Sequence, residues 1–364
     1  MEKSDISKTI ENYFDIKYKS IGELKLREDI KEFFLLNDER YKKHYAFEIA
    51  ALEMHINQRE LQKYDLRFSK YNYYLDYISL NINANKAIAV LDENHDIYFK
   101  SSSNIKSQMS NLRHKIYLEK FKDKWYIIKD IYKDYYKNII MHYNNKYTSL
   151  EEIKEILLKQ NYNNYLQSQN TRDVSFRDEA ALAQNKVSKE KLYNYNRISA
   201  VNYARMWALK INPKWGNYES KGYGGDCTNF TSQCIYAGGI PFDFYGTSDF
   251  VKWYWYSNSK RVAPWTGAKQ FNYYVQYNKG YGLKAHFADL SDMMPGDIVQ
   301  LGGNYPKTYH SMIISDYVYN SNGYVEDYLI CQHSTSVGGR LKDYPLSSKP
   351  PVQKVYISID GYYK

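Results

Sequence analysis

The chain is read as α+β twice over: helices followed by an antiparallel sheet in the first half, and the same succession in the second. Three observations predict this. Apolar residues recur at helical spacing up to about residue 65, alternate with polar ones from Tyr71, and alternate again from Pro295 after a second helical stretch. With 364 residues there is room for two domains with proper cores. The boundaries are drawn at 1–147, 148–190 for a helical linker, and 191–364.

In the first half, Ile6, Ile10 and Phe14 share one helix face, as do Tyr41, Tyr45, Ile49 and Leu52. Ile78, Leu80 and Ile82 then alternate with polar neighbours, as in a half-buried strand. Ala87–Leu91 and Ile97–Lys100 flank a turn-like Asp92–Asp96. Residues 114–121 and 125–132 flank Lys122-Asp123-Lys124, a hairpin signal. Helices followed by such a meander resemble the cone-shaped roll of nuclear transport factor 2-like domains. The resemblance implies a curved sheet that holds a pocket or joins two copies as a homodimer. The five histidines of this half show no ligand spacing and are assigned no chemistry.

Thr148-x-x-Glu151 reads as a capping box opening a helix, and polar residues 161–190 as a helical or partly disordered linker. A helix over 196–209 offers Ile198, Val201, Tyr203 and Met206 for burial. Trp253, Tyr254, Trp255, Tyr256 and Trp265 are core candidates, although Trp253 beside a reactive group could also wall a substrate groove. Residues 297–301, 309–319 and 324–333 read as three consecutive strands.

Between the second half's first helix and its aromatic run lies Gly224-Gly225-Asp226-Cys227-Thr228-Asn229, continuing to Gly238-Gly239. Asp226 is a good N-cap, and a glycine can stop the helix that follows. Cys227 thereby opens a helix, where the dipole favours a thiolate. Cys234 lies seven residues on, about 10.5 Å along that helix, too far for a disulfide. With three cysteines one stays unpaired, and no disulfide framework is expected. For a base the residues alone leave His286, His310 and His333 open.

The Asp226–Phe230 segment resembles the Asp-Cys-Ser/Thr entry of CHAP and NlpC-type cysteine peptidases. It is most similar to the bacterial "putative amidase domain" family. Tyr195-Asn196-Arg197, Ala200–Ala204, Asn212-Pro213, Gly296–Val299, His310-Ser311 and Gln332-His333-Ser334 follow in the family's order. The resemblance spans about residues 193 to 360. It implies a papain-like domain with the Cys227 helix packed on an antiparallel sheet, and His310 as the general base. A third group must orient the other nitrogen of His310. Two-residue turns after Asn320 put His333 on the His310 face, and only an odd loop puts Gln332 there. His333 is therefore expected, with Gln332 second. The Cys227 amide would hold the oxyanion with a second donor, Tyr223 or Asn229. Asn229 could equally hold the cysteine loop in shape.

Composition bounds the partners. The formal charge of +9 is spread too thinly for a nucleic-acid arm. No apolar run is long enough to span a membrane, and Met1–Ile6 lacks a signal peptide's apolar core. The chain as written is expected in the cytoplasm, or outside the cell and at the wall if a leader was removed. No cofactor or metal is expected, because no ligand set is clustered. The reading is a cysteine amidase or peptidase acting on a peptide or cell-wall amide. Its rivals are an amide-forming acyltransferase using the same thioester, and a non-catalytic binding protein.

Overall fold

The computed structural model describes residues 2–143, 149–170, 191–219, 225–278, 280–333 and 339–364. The chain forms two compact units, one of residues 1–165, 335–340 and 347–351, the other of 166–334, 341–346 and 352–364. The class is α+β.

In the first unit, α1 (Glu2–Glu23) and α2 (Glu39–Glu60) precede a four-stranded antiparallel meander, β1 (Phe68–Asn83), β2 (Lys86–Phe99), β3 (Ser107–Phe121) and β4 (Lys124–Ile131). Ile6, Ile10 and Phe14 are buried as their spacing requires. Helix α2 is rotated from expectation: Tyr41, Tyr45 and Ile49 are only half-buried, while Ala50, Ala51 and Met54 face inward. The β3–β4 hairpin turns on Lys122 and Asp123, both at positive φ (47° and 63°). That conformation matches the twist of the flanking strands.

The expected turn at Asp92–Asp96 does not exist, because β2 runs straight through it. Glu93 and His95 point inward because a polar interior receives them. His114 Nε2 lies 2.8 Å from Glu93 Oε2, and its Nδ1 lies 2.9 Å from Asp130 Oδ1. Tyr18 donates to Glu93 at 2.5 Å, and Tyr13 to Glu48 at 3.0 Å. A second ion pair, Lys137–Glu48, adjoins this cluster. Burial would strip the charge from His114, but Asp130 and Glu93 outweigh it and raise its pKa. Against their own burial, the two carboxyls are held down to about 2 by His114.

Helix α3 (Tyr135–Tyr143) follows, then α4 (Leu150–Asn170). Thr148 of the expected capping box lies outside the described residues; Ser149 Oγ accepts from Glu152 N–H at 3.2 Å instead. Where a linker helix was expected, Ile153 and Leu157 of α4 pack with Met54 of α2 and Ile140 of α3. The rest of the expected linker, 171–190, also lies outside the described residues.

The second unit places α5 (Arg197–Trp207), α6 (Cys227–Ala237), α7 (Ala263–Thr266) and α8 (Ala268–Tyr277) around an antiparallel sheet. Its strands are β5 (Gly282–Ala288), β6 (Ile298–Leu301), β7 (His310–Tyr319), β8 (Val325–Gln332), β9 (Arg340–Pro345) and β10 (Lys354–Tyr363), in the order β9-β8-β7-β6-β10-β5. The core brings Phe230, Cys234 and Ile235 of α6 onto Ile298, Ile313, Cys331 and Ile357 of the sheet. Helix α5 faces this core with Ala200 and Ala204, while Ile198 and Met206 are exposed. Of the four residues offered for burial, Val201 is buried and Tyr203 packs partly buried on this core, and the small Ala200 and Ala204 let the α5 backbone lie close.

Asp297, before β6, accepts from Arg197 at 2.6 Å and from the Met294 and Ile359 amides at 2.9 Å each. It ties α5, β6 and β10 together. Among the described residues, no helix is long and apolar enough to cross a membrane.

Candidate active site

Helix α6 begins at Cys227 and stops at the glycine pair, with Gly239 at φ 93°. Its first bond runs from Phe230 N–H to the Asp226 carbonyl at 2.9 Å. Asp226 is the N-cap by position, but its carboxylate makes no capping bond. It is drawn away by stronger donors. Oδ1 accepts from Tyr218 N–H at 3.1 Å and Asn229 Nδ2 at 2.9 Å, and Oδ2 from His333 Nδ1 at 2.7 Å.

Cys227 is 8% exposed, whereas Cys234 and Cys331 are fully buried in the core. All three are free thiols. Burial pushes the Cys227 pKa up and the Asp226 charge adds to the rise, against opposing bonds from the Ser311 backbone and the Thr228 hydroxyl. This runs against the expected depression, because packing on the sheet desolvates the sulfur. Burial raises Cys331 to about 12 and Cys234 well above the ordinary thiol range.

A buried polar chain ends at this sulfur. Asn272 Nδ2 donates to Gln300 Oε1 at 3.0 Å, and Gln300 Nε2 to Ser311 Oγ at 2.9 Å. Ser311 Oγ lies 3.0 Å from Thr228 Oγ1, and Thr228 Oγ1 3.7 Å from Cys227 Sγ, so the hydroxyls of Ser311 and Thr228 carry the chain on to the sulfur. At the far end Asn272 Oδ1 accepts from Tyr305 N–H at 2.8 Å. Thr228, Gln300 and Asn272 were not singled out from sequence. A glutamine inside the apolar run Ile-Val-Gln-Leu of β6 was the available signal, since a buried amide needs partners.

His310 opens β7, buried opposite Leu301 of β6. Its Nε2 lies 3.0 Å from Gln332 Oε1. The oxygen can only accept, so Nε2 carries the proton and the lone pair of the neutral ring sits on Nδ1.

Gln332 rather than His333 meets His310 because of the register. Residues 321–323 form a three-residue loop, with Asn320 N–H bonded to the Tyr324 carbonyl at 2.9 Å. Paired numbers then sum to 644, not to the 643 or 645 of a two-residue turn. An extra residue at Glu326 shifts the sum to 645 from Val318↔Asp327, and a bulge at Ser315 returns it to 644 by Ile314↔Ile330. Each one-residue slip exchanges the faces, and after both His310 and Gln332 share one. The expected His310–His333 pairing is thus corrected.

His333 lies elsewhere, 1% exposed, between Asp226 and the Trp207 carbonyl, its ring stacked on Phe230 at 4.0 Å. Asn229 donates to the Gly216 carbonyl and to Asp226, both at 2.9 Å, and accepts from Trp265 Nε1 at 2.8 Å. It holds the cysteine loop. Trp253 is a core residue with no exposed surface, bonded to Ser232 Oγ at 3.1 Å, and walls no groove. Tyr223 lies outside the described residues. Half-exposed His286 faces Asp360 at 3.1 Å on the β5–β10 pair. Among the described residues no three His, Cys, Asp or Glu are grouped to hold a metal ion.

Residues 194–357 match the family model described as "putative amidase domain", a span holding Cys227, His310, Gln332 and His333. The match begins at 194 and lends the nuclear transport factor 2-like resemblance no support. Two curated proteins of Bacillus subtilis (strain 168) are similar to parts of this chain. The uncharacterized protein YhbB is 33% identical over 110 residues, 30% of this chain and 33% of that protein. The uncharacterized protein YjcM is 29% identical over 127 residues, 35% of this chain and 26% of that protein. The chain therefore spans a third or less of either relative. A crystal structure of the Kfla4162 protein from Kribbella flavida aligns at 13% identity over 36% of this chain and 91% of that one, with a TM-score of 0.24.

Proposed function

We propose, from the putative amidase domain carried by residues 194–357, that the protein is a cysteine-dependent amidase or peptidase. Cys227 is the nucleophile, His310 the general base and acid, and Gln332 the residue that orients His310. One observation chiefly supports this. His310 is bonded through Nε2 to Gln332, and the next residue, Ser311, meets Thr228, the neighbour of Cys227, hydroxyl to hydroxyl at 3.0 Å. Base and nucleophile thus come from adjacent elements, with the basic nitrogen of the neutral ring at Nδ1.

Because burial favours the neutral thiol, the proton moves during attack. Nδ1 of His310 takes the Cys227 proton as sulfur bonds to the amide carbon, and the carbonyl electrons move to oxygen. The Cys227 amide at the start of α6 is one donor to that oxyanion. Asn229 is fully used within the loop and is not the second. Collapse of the intermediate breaks the C–N bond, His310 protonates the departing amine, and a thioester remains. Water, deprotonated by His310, then releases the acid and restores the thiol. The substrate class is a peptide or cell-wall amide, in keeping with the papain-like arrangement of helix-borne cysteine and strand-borne histidine.

The test is p-nitrophenyl acetate turnover with the full-length protein, followed by product analysis of digested peptidoglycan. An acyl burst that disappears in Cys227→Ala and falls severely in His310→Ala is expected. A burst that survives Cys227→Ala overturns the assignment. Diversion of the acyl group to added hydroxylamine in preference to water would make the enzyme an acyltransferase.

A further inference from the structure

The Asp226–His333 pair plays no part in the steps above, yet it adjoins the nucleophile. His333 Nδ1 lies 2.7 Å from Asp226 Oδ2, and Nε2 lies 2.8 Å from the Trp207 carbonyl. Both partners are acceptors. The Asp226 carboxylate meets donors at its other oxygen as well, from Tyr218 N–H and Asn229 Nδ2. A neutral imidazole has one N–H and could make one of the two His333 bonds, so both together require a doubly protonated ring.

The surroundings suit that charge. Trp207 is the last residue of α5, so its carbonyl lies at the negative end of the helix dipole. The ring lies at 16° to Phe230 with centroids 4.0 Å apart, within cation–π range. Among the described residues, the Tyr203 hydroxyl of α5, bonded to Gln233 at 2.8 Å, and Cys227 itself lie within reach of the Asp226 charge. Lys210, just past α5, has its ammonium 4.8 Å from the Trp207 ring. Around the sulfur stand Thr228, the Ser311 amide and, next along β7, His310.

We propose that His333 is a positioning residue for Cys227. Its imidazolium holds the Asp226 carboxylate, ties the start of α6 to the ends of α5 and β8, and offsets the Asp226 charge beside the forming thiolate. The inference rests on Cys227 being the nucleophile. Without His333, the carboxylate immediately before Cys227 would repel negative charge on sulfur.

The test is the pH dependence of iodoacetamide alkylation at Cys227, followed by peptide mapping in the full-length protein. His333→Gln should move the midpoint up by about one pH unit. Asp226→Asn, which leaves the His333 charge uncompensated, should move it down. The double variant Asp226→Asn/His333→Gln should return it to about the wild-type value, since neither charge remains. Opposite shifts that cancel cannot come from loosened packing, which would accumulate. If His333→Gln does not fold, Asp226→Asn against the double variant still decides. An unmoved midpoint in the single variants, or a double variant worse than both, overturns the inference and leaves the nucleophile assignment standing. Wild-type protein that labels elsewhere than Cys227 overturns both.

Discussion

Gln332→Ala removes the side chain bonded to His310 Nε2, a bond of 3.0 Å between two fully buried groups. A neutral hydrogen bond of this kind contributes about 1 kcal/mol net. Once His310 holds the cysteine proton the bond is charge-assisted and roughly twice as strong. About 1 kcal/mol therefore accrues only as the imidazolium forms, worth roughly fivefold in rate. The lost acceptor also frees the ring to rotate, and the buried N–H costs about 1–3 kcal/mol, part of it in the transition state. Together these predict a fall in kcat of about 10- to 100-fold with KM little changed, smaller than the losses in Cys227→Ala and His310→Ala. The measurement is the acylation rate on p-nitrophenyl acetate, with thermal unfolding to confirm an intact fold. A Gln332→Ala enzyme within twofold of wild type would show that β8 does not orient the base.

In native protein iodoacetamide should modify Cys227 well before Cys234 and Cys331, which have no exposed surface, while in urea all three should react. Equal native labelling would contradict the burial order. In the first unit, the raised pKa of His114 contributes stability that is complete below its unfolded value, about 6.5. That contribution is lost as pH rises through the higher folded value. The lowered carboxyls of Glu93 and Asp130 act in reverse, stabilising above their unfolded values of about 4 and losing effect as pH falls toward about 2. Urea midpoints of β2–β4 peptides, read by hydrogen exchange from pH 5 to 9, should decline on the alkaline side in wild type and stay flatter in His114→Gln. Asn229→Ala should cost about 1–3 kcal/mol by stranding the buried Trp265 N–H, lowering the Tm of the second unit by several degrees. An unchanged Tm would mean that the loop is held by other contacts.

In the second unit the cysteine helix and three of the six strands were visible in the sequence, while β5, β9 and β10 were not. The α6 boundaries follow from Asp226 and the glycine pair, and β6, β7 and β8 begin and end within a residue or two of the alternating runs. Which faces meet was less visible, because Ser315 and Glu326 look like any other residues of an alternating strand. Their two bulges cancel, so the three-residue loop at 321–323 decides between Gln332 and His333. Propensity could not foresee Asp226 preferring His333 to its own helix amides, since that choice needs a partner 107 residues away. In the first unit the polar run through Glu93 and His95 imitates a turn. Only the distant His114 and Tyr18 make it strand.

The buried chain from Asn272 to Cys227 has a polarity as well as a path. The Asn272 and Gln300 amides each donate toward Ser311, so these two links keep their direction only while the amides face as they do. Turning either amide over would set like against like at a neighbouring link, and no water is needed to transmit the conflict. Since Asn272 is also held by the Tyr305 amide, the backbone of the loop before His310 helps keep that sense of direction. Cys227 is thus linked by hydrogen bonds to a stretch of chain about 80 residues away in sequence.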